Sequence, residues 1–327
     1  MPKAIQIQAT GGPDVLQLVD VPVGRPAAGQ VRLRQTAIGL NYIDVYHRSG
    51  VYPVSLPAII GMEAAAVVEE VGDGVTDVRV GDRVAYASPP PGAYAEERLM
   101  PADRVVALPA DISDRQAAAM MLQGMTAQYL IRRTYPAQKG ETVLWHAAAG
   151  GVGLIACQWL SALGVTVIGT VGSPEKAALA RAHGCHHTIN YRDEDFVARV
   201  REITNGAGVP VVYDSVGKDT FERSLNCLAP LGAMVLYGQS SGRVPPFDTA
   251  VLNAKGSLSL WRPSLTDYVA SRDDVQRRAG DVFRWIEAGA LRVTIGGAFP
   301  LAQAAEAHRR LASRDSIGKL LLLPHKN

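Results

Sequence analysis

The residues best able to do chemistry lie in a glycine-rich segment, Ala147-x-x-Gly150-x-x-Gly153. A short apolar strand, Thr142–His146, runs into it, and an apolar-periodic helix opens at Gly151. Glycine has no Cβ, so the backbone can turn tightly and its N–H groups can approach a pyrophosphate. The helix N-terminus adds unpaired N–H donors and a partial positive charge. In this strand–loop–helix context the spacing predicts a dinucleotide site.

The residues after the second strand, Val165–Val171, bear on which dinucleotide is bound. Gly172 and Ser173 follow this strand, and no carboxylate stands at its end. NAD-specific sites usually place an acidic residue there, on the ribose diol, so its absence removes a charge that would repel a 2′-phosphate. Lys176, one turn into the next helix, can pair with a phosphate as a point charge. The pattern favours NADPH, although Lys176 could also be an ordinary solvated helix residue.

The elements that must position this loop alternate between apolar strands and helical segments from residue 142 onward. The helices begin near Gly151, Pro174, Asp193 and Asp219. Alternating β and α segments with almost continuously apolar strands predict a parallel, doubly wound sheet of six strands, the Rossmann plan. The predicted strands are Thr142–His146, Val165–Val171, His187–Asn190, Val211–Asp214, Ala233–Tyr237 and Ser257–Trp261.

The rest of the chain has a different rhythm. About the first 110 residues are β-rich, with strands such as Val31–Ile38 and Ala64–Val71 separated by Gly, Pro and Asp turns. A helical pattern covers residues 113–133, and the C-terminal part carries helical patterns over Asp267–Ala288 and Leu301–Ser313. The sequence therefore predicts an α/β protein with a second, β-rich part that the C-terminal segment rejoins.

Composition excludes several classes of function. The 327 residues are 47% hydrophobic and 20% charged, which is ordinary for a globular enzyme. The net charge of +2 does not indicate binding to a polyanion. No stretch approaches the roughly 18 apolar residues that span a membrane. The three cysteines have no framework spacing and no signal peptide is evident, so we expect reduced thiols in a cytoplasmic protein.

Several segments resemble a known family in the right order along the chain. They are GGPDVL (11–16), IGLNYIDVYHRSGVYP (38–53), GMEAAAVVEEVG (61–72), GDRVAY (81–86), HAAAGGVGLIACQW (146–159), VVYDSVG (211–217) and RPSL (262–265). They resemble the zinc-free medium-chain dehydrogenases/reductases, specifically NADPH:quinone oxidoreductases related to zeta-crystallin. The resemblance implies a GroES-like catalytic domain over residues 1–122, an NADPH-binding Rossmann domain over 123–262, and a segment over 263–327 that returns to the catalytic domain. It also implies a homodimer.

The same resemblance shows where a zinc site is missing. Zinc-dependent relatives have a Cys at the position of Asn41, a His at the position of Met62, and a third ligand at the position of Leu122. Their structural-zinc cysteines are absent between Asp82 and Glu97. Zinc needs three or four N, S or O ligands in a tight shell, so we expect no metal and no alcohol oxidation through a metal alkoxide.

The implied reaction is transfer of a hydride or electrons from NADPH to a quinone in a cleft between the domains. Asn41, Tyr46 and Tyr52 are the expected catalytic side chains. The amide of Asn41 and the phenol of Tyr52 could donate hydrogen bonds to a carbonyl oxygen. Alternatively, both tyrosines are packing residues with satisfied hydroxyls.

The resemblance also implies a set of cofactor contacts along the whole chain. Ser173, Lys176 and Tyr191 match residues that hold a 2′-phosphate, and each member of the set could instead be a solvated loop residue. The set is Asn41, Tyr42, Tyr46, Gln123, Thr126, Tyr129, Ala149, Gly150, Gly151, Val152, Gly153, Gly172, Ser173, Lys176, Tyr191, Ser215, Gly238, Gln239, Ser240, Ser241, Arg262 and Arg314.

The histidines admit plainer interpretations. We expect His146 to be buried and hydrogen-bonded at the end of its strand, and His47 to lie on the domain surface rather than act as a general base. A cluster before the third strand has poor spacing for a metal, so neutral surface histidines are expected there. That cluster is His183, Cys185, His186 and His187.

Two other functions stay open at this point. The same fold and cofactor would serve an enzyme that reduces activated C=C bonds in enones or alkenals, because such substrates also accept hydride at an electron-poor carbon. A non-catalytic NADPH-binding or RNA-binding role is the third possibility, since relatives of this family serve as lens crystallins or bind RNA. The low net charge and the lack of interleaved basic and aromatic residues disfavour nucleic acid as the main partner.

Overall fold

A computed structural model describes residues 1–313 and 316–325. The chain divides into two compact units. Unit 1 comprises residues 1–125, 269–287 and 293–327, and unit 2 comprises residues 126–268 and 288–292. The secondary structure of each unit follows a pattern in the sequence. Unit 1 corresponds to the β-rich segments, and unit 2 corresponds to the strand–helix repeats. The domain boundaries expected from the sequence remain a prediction.

The strands are numbered in chain order. They are β1 (Lys3–Ile7), β2 (Gln17–Asp20), β3 (Gln30–Gly39), β4 (Ala58–Ile59), β5 (Glu63–Val71), β6 (Arg83–Ala87), β7 (Glu97–Pro101), β8 (Val106–Ala107), β9 (Thr142–Trp145), β10 (Thr166–Val171), β11 (His187–Asn190), β12 (Val209–Asp214), β13 (Leu228–Leu236), β14 (Ser259–Trp261), β15 (Ile295–Pro300) and β16 (Lys319–Leu323).

The α-helices are numbered in the same way. They are α1 (Tyr42–Ser49), α2 (Asp114–Tyr129), α3 (Gly151–Ala162), α4 (Pro174–Ala182), α5 (Phe196–Ile203), α6 (Phe221–Leu225), α7 (Ala250–Ala254), α8 (Leu265–Tyr268), α9 (Arg272–Glu287) and α10 (Ala304–Ala312). A π-helical turn, Leu130–Thr134, follows α2 directly. None of the helices in the described ranges has the length and apolarity that a membrane crossing needs.

Unit 2 contains the predicted doubly wound sheet. Its strand order is β11-β10-β9-β12-β13-β14, and every neighbouring pair is parallel. In order of appearance this is 3-2-1-4-5-6, the order of dinucleotide-binding sheets, so the predicted fold class is confirmed. The sheet packs on its helices through fully buried apolar side chains such as Ile168, Val212 and Phe221. Burial of each such side chain contributes roughly 1.5–3 kcal/mol to stability.

Unit 1 is built on β-sheet that is antiparallel except for the parallel pair β15 and β16. Its larger sheet has the order β15-β16-β3-β5-β6-β8, with β7 paired to β3, and a smaller sheet has the order β2-β1-β4. The long strand β3 alternates buried and half-buried residues, as a strand with one face on a core does. Residues near both ends of the chain contribute to one core, which includes Ile5, Leu33 and Leu322.

One predicted helix is wrong in extent. The pattern over Asp267–Ala288 predicted one long helix, but α8 ends at Tyr268 and α9 begins at Arg272. Ser271 explains the break, because its hydroxyl accepts a hydrogen bond from the backbone N–H of Asp274 and so caps α9. Such a cap fixes non-helical backbone at the capping residue, which hydrophobic periodicity does not report.

Candidate active site

The glycine loop of unit 2 joins β9 to α3. Gly150 caps the helix with extended backbone, and no side chain caps the first turn. The amides of residues 151–153 are therefore free of intrahelical partners and available to an anion. A Cβ at Gly153 would overlap the carbonyl oxygen of Ala147 and lie 2.7 Å from that of Ala148. Only glycine allows the helix to approach the strand end this closely, which fits a pyrophosphate cradle.

His146 supports the loop from below and is buried, as predicted. Ser224 donates its hydroxyl proton to the carbonyl of Thr220, so it accepts from Nε2 of His146 at 2.9 Å. Nδ1 of His146 then accepts from the hydroxyl of Thr170, also at 2.9 Å. Burial lowers the pKa of His146, which keeps the ring neutral. One imidazole thus connects the end of β10 to α6 directly beneath the nucleotide loop.

The residues predicted to hold a 2′-phosphate gather at the ends of β10 and β11. Val171 pairs with Asn190, so the next residues along the two strands are neighbours. A Cβ at Gly172 would lie 2.7 Å from the hydroxyl oxygen of Tyr191. The hydroxyl of Ser173 accepts from the backbone N–H of Lys176 and caps α4. The four predicted residues, Gly172, Ser173, Lys176 and Tyr191, therefore lie at one helix N-terminus, the type of position that favours an anion.

Glu175 brings a negative charge to the same helix N-terminus. It lies in the first turn of α4. The pKa of Glu175 is lowered because its carboxylate accepts a hydrogen bond from its own backbone N–H and another from the hydroxyl of Ser173. The carboxylate thus uses donors that a phosphate at this helix N-terminus would also use.

A second group of predicted contacts follows β12 and β13. A Cβ at Gly238 would lie 2.7 Å from the carbonyl oxygen of Ser215, and the backbone N–H of Ser240 donates to that oxygen at 3.1 Å. Ser241 donates its hydroxyl to the carbonyl of Val216. Gln239 lies within this turn. The carboxyl ends of neighbouring parallel strands are where such folds bind ligands, and these residues occupy that edge.

The remaining predicted contacts lie on α2 and after β14. Gln123, Thr126 and Tyr129 recur every three residues on α2 and so share one side of the helix. Within unit 2, the ring of Tyr129 stacks on that of Tyr268 with centroids 4.2 Å apart. Arg262 is exposed and donates to the carbonyl of Leu236 at the end of β13. Arg314 lies outside the described residues.

The tyrosines of unit 1 form an aromatic group on and after α1. The ring of Tyr46 lies between those of Tyr42 and Tyr52, with centroids 6.0 Å and 5.1 Å away. His47 is a correction: it is 7% exposed and not on the surface, because its ring packs edge-on against Tyr52. Burial lowers the pKa of His47.

Asn41 caps α1 and is held by two buried charged residues. Its Nδ2 donates to Oε2 of Glu63 at 2.8 Å and to the carbonyl of Gly39 at 3.3 Å. Its Oδ1 accepts from Nζ of Lys319 at 2.7 Å. Lys319 also forms a salt bridge with Glu63. In this arrangement both amide hydrogens of Asn41 are used within the protein, and the side chain also forms a capping box with Asp44 at the start of α1.

A chain of buried hydrogen bonds leads from α10 to the start of α1. An arginine only donates, so Nδ1 of His308 accepts from Arg48 at 3.1 Å and Nε2 carries the proton. Nε2 then donates to the hydroxyl of Tyr94 at 2.9 Å, and Tyr94 donates to Oδ2 of Asp44 at 3.0 Å. Oδ2 also accepts the backbone N–H of Asn41 at 2.8 Å. The chain fixes the first turn of α1 in a single arrangement.

These two networks in unit 1 were missed by sequence reasoning. Their partners are far apart in the chain: Asn41 and Lys319 are separated by 278 positions, and Arg48 and His308 by 260. The only available signal was charge inside apolar segments, at Glu63 before AAAVV and at Lys319 before LLLL. A charged residue in such a segment is rarely buried without a partner.

Comparison with known proteins identifies the relatives of the chain. Residues 27–110 match the family model described as an alcohol dehydrogenase GroES-like domain, and residues 151–272 match the one described as a zinc-binding dehydrogenase. A quinone oxidoreductase of Pseudomonas aeruginosa is 52% identical over 325 residues, which cover 99% of this chain and 100% of that protein. The chain belongs to the quinone oxidoreductase family.

Two further relatives show the range of this family. A 2-haloacrylate reductase of Burkholderia sp. is 49% identical and aligns over 99% of both chains. The solved structure of the Escherichia coli quinone oxidoreductase complexed with NADPH superimposes with a TM-score of 0.97 at 47% identity, covering 98% of this chain and 100% of that one. The predicted membership of the medium-chain dehydrogenases/reductases is confirmed.

The zinc that one family model names in its description does not fit these residues. The three positions expected to hold it carry Asn41, Met62 and Leu122. The amide of Asn41 is hydrogen-bonded to both members of the Glu63–Lys319 salt bridge. These three side chains cannot form a zinc shell. In the histidine cluster, Nδ1 of His186 accepts the backbone N–H of Val167 and Cys185 is buried. Across residues 1–313 and 316–325, no group of three His, Cys, Asp or Glu side chains could hold a metal ion.

The buried chain in unit 1 predicts a pH-dependent stability. Burial lowers the pKa of His308 from 6.5 to about 3, so its neutral form stabilises the fold above pH 6.5, and this stabilisation is lost as the pH falls toward 3. Burial raises the pKa of Asp44 from 3.8 to about 7, so its contribution falls as the pH rises over that window. The two slopes oppose each other between about pH 4 and pH 6.5.

Replacing His308 by Gln should remove one of these slopes. Relative to the unmodified protein, the variant should gain up to about 1.4 kcal/mol in free energy of unfolding for each pH unit lowered between about 6.5 and 4. Urea unfolding at several pH values measures the difference, in which the Asp44 contribution cancels. The exposed His187, replaced by Gln, is the control. A difference that does not change with pH would contradict the assignment.

Removal of the Glu175 carboxylate is expected to increase the affinity for NADPH. Glu175→Gln should lower the Kd for NADPH by about two- to fivefold, because the exposed carboxylate repels the 2′-phosphate and accepts a hydrogen bond from Ser173 that the phosphate could accept instead. The Kd for NADH, which lacks the 2′-phosphate, should stay unchanged. Fluorescence titration with both nucleotides measures this, and Glu222→Gln in the first turn of α6 is the matched control. Equal changes for both nucleotides would contradict the prediction.

Proposed function

We propose that the chain is an NADPH:quinone oxidoreductase that transfers a hydride or electrons from NADPH to a quinone without a metal. The observation that carries the proposal is the nucleotide edge of unit 2. A glycine loop with free amides lies beside the ends of β10 and β11, where Ser173, Lys176 and Tyr191 lie and no acidic residue directly follows β10. The Escherichia coli relative of known structure is an NADPH complex with the same fold.

Bound NADPH supplies the hydride, and the protein's part is to bind, orient and stabilise charge. The amides at the start of α3 would hold the pyrophosphate. Lys176 would pair with the 2′-phosphate, and Arg262 would add a second positive charge. Because both amide hydrogens of Asn41 are taken, Tyr52 is the proposed donor to the quinone oxygen, with Tyr46 packed against it. The reduced oxygens can take their protons from water.

The deciding experiment follows the loss of reduced nicotinamide absorbance with 1,4-benzoquinone or 9,10-phenanthrenequinone as acceptor. Turnover should be faster with NADPH than with NADH and unaffected by a chelator. Lys176→Ala should raise the KM for NADPH by roughly tenfold, because a charge-assisted contact to a phosphate is worth about 1.5–3 kcal/mol at most. It should leave kinetics with NADH unchanged.

The control for that variant is Lys218→Ala, which removes an exposed lysine of unit 2 that is not among the residues predicted to hold the 2′-phosphate. Tight NADPH binding without turnover of either quinone would overturn the proposed activity. It would leave the second candidate or a non-catalytic role.

A second candidate function is reduction of an activated C=C bond. The 49% identity to a protein named 2-haloacrylate reductase favours it. Enones and 2-haloacrylates accept hydride at an electron-poor carbon, so the same nucleotide site serves both reactions. Parallel assays with 2-chloroacrylate and a 2-alkenal would separate the two: a kcat/KM higher for these acceptors than for the quinones would assign the chain to this reaction.

We further propose that two copies associate through β14 and that the enzyme works in the cytoplasm. β14 ends the six-stranded sheet, and Leu260 and Trp261 on it are exposed. Such an edge can pair with its copy across a two-fold axis. Leu260→Lys should shift the sedimentation coefficient from that of a dimer to that of a monomer, and a monomeric unmodified protein would refute the pairing.

Cys157, Cys185 and Cys227 are free and buried, which suits a reducing compartment.

A further inference from the structure

Three polar side chains of unit 1 meet where three strands of the larger sheet end or begin. Asn41 follows β3, Glu63 opens β5 and Lys319 opens β16. Gly39 pairs with Glu63 across one side of β3 and with Leu321 across the other. The three side chains are 4%, 0% and 1% exposed. Backbone pairing therefore places an ion pair and an amide together away from solvent.

The chemistry of the pair permits one orientation of the amide. An ionised glutamate only accepts hydrogen bonds, and an ammonium only donates them. Nδ2 of Asn41 must then face Glu63 and Oδ1 must face Lys319, as the distances of 2.8 Å and 2.7 Å show. With a neutral donor–acceptor group on either side, the amide could turn over at little cost.

Stability alone is a weak reason for this arrangement. The desolvation of two buried charges often exceeds their attraction, and apolar replacements of a buried pair are frequently neutral or stabilising. Burial lowers the pKa of Lys319, and the Glu63 carboxylate opposes that shift. The pair also excludes any side chain at position 39, because a Cβ there would overlap the Glu63 carboxylate and the carbonyl of Ala118. What the pair specifies well is the orientation of the Asn41 amide.

We propose that Glu63 and Lys319 are positioning residues that hold the amide of Asn41 in one orientation for the reaction proposed above. The inference rests on that proposed function, since Asn41 is predicted to contact the cofactor or substrate. The pair gives Asn41 a defined polarity, because Nδ2 faces Glu63 and Oδ1 faces Lys319.

The test is a double-mutant cycle with Lys319→Met, Asn41→Ala and the combined variant, measured for kcat and KM with NADPH and 1,4-benzoquinone. Each single change should lower kcat/KM by about tenfold, and the combined variant should be no worse than the poorer single variant, because Lys319 acts through Asn41. Losses that multiply would overturn the proposal.

Two further variants separate positioning from simple support of the fold. Lys319→Gln keeps an N–H donor toward Asn41 and should recover most of the kcat/KM that Lys319→Met loses, even if both variants have a lower Tm. Tyr86→Phe removes another buried hydrogen bond of unit 1, to Gln35, and should lower Tm without changing kcat/KM. If Lys319→Gln and Lys319→Met lower kcat/KM equally, Lys319 does not act through the amide of Asn41.

Failure of the proposed function gives a different result. If the unmodified protein reduces no acceptor, the same cycle is measured on the Kd for NADPH by fluorescence titration. Non-additive losses of affinity for Lys319→Met and Asn41→Ala would still support positioning of Asn41 toward the cofactor. Unchanged affinity in both variants would overturn it. If Lys319→Met does not fold, Lys319→Gln and Glu63→Gln complete the cycle with Asn41→Ala.

Discussion

The parallel direction of all six strands in unit 2 is the constraint on which the candidate site depends. Parallel strands place their carboxyl ends at one edge, so residues from positions 150, 173, 215 and 238 come together although each belongs to a different strand–helix repeat. Short chemical features then adapt this edge: glycine where backbone must approach backbone, and Ser173 where a helix needs a cap. His146, beneath the edge, fixes it through two hydroxyls.

The sequence predicted unit 2 well because its signals are local. The starts of α3 and α4 were predicted at Gly151 and Pro174, and the structure has them there. Glycine frees the backbone angles and proline restricts them, and both effects act within one or two residues. The fold class and family were confirmed. The assignment of individual site residues stays a prediction, which the proposed measurements address.

Unit 1 could not be predicted to the same depth, for a physical reason. Its two buried networks depend on contacts of Lys319 and His308 with residues more than 200 positions away, and a single sequence carries no pairing information at that separation. His47 shows the same limit: the helix pattern allowed a surface position, but packing against Tyr52 buried the ring. Likewise, a serine cap divided the helix predicted over Asp267–Ala288.

The glycine at position 39 has a consequence for how this family can change over evolutionary time. Gly39, Glu63 and Lys319 share one small volume, so none can be exchanged independently: a side chain at 39 displaces the charges, and loss of one charge strands the other. Lineages that replace the pair should pass through simultaneous or compensated substitutions. The three positions are therefore expected to be inherited as a block, and their joint variation across homologues would mark separate branches of the family.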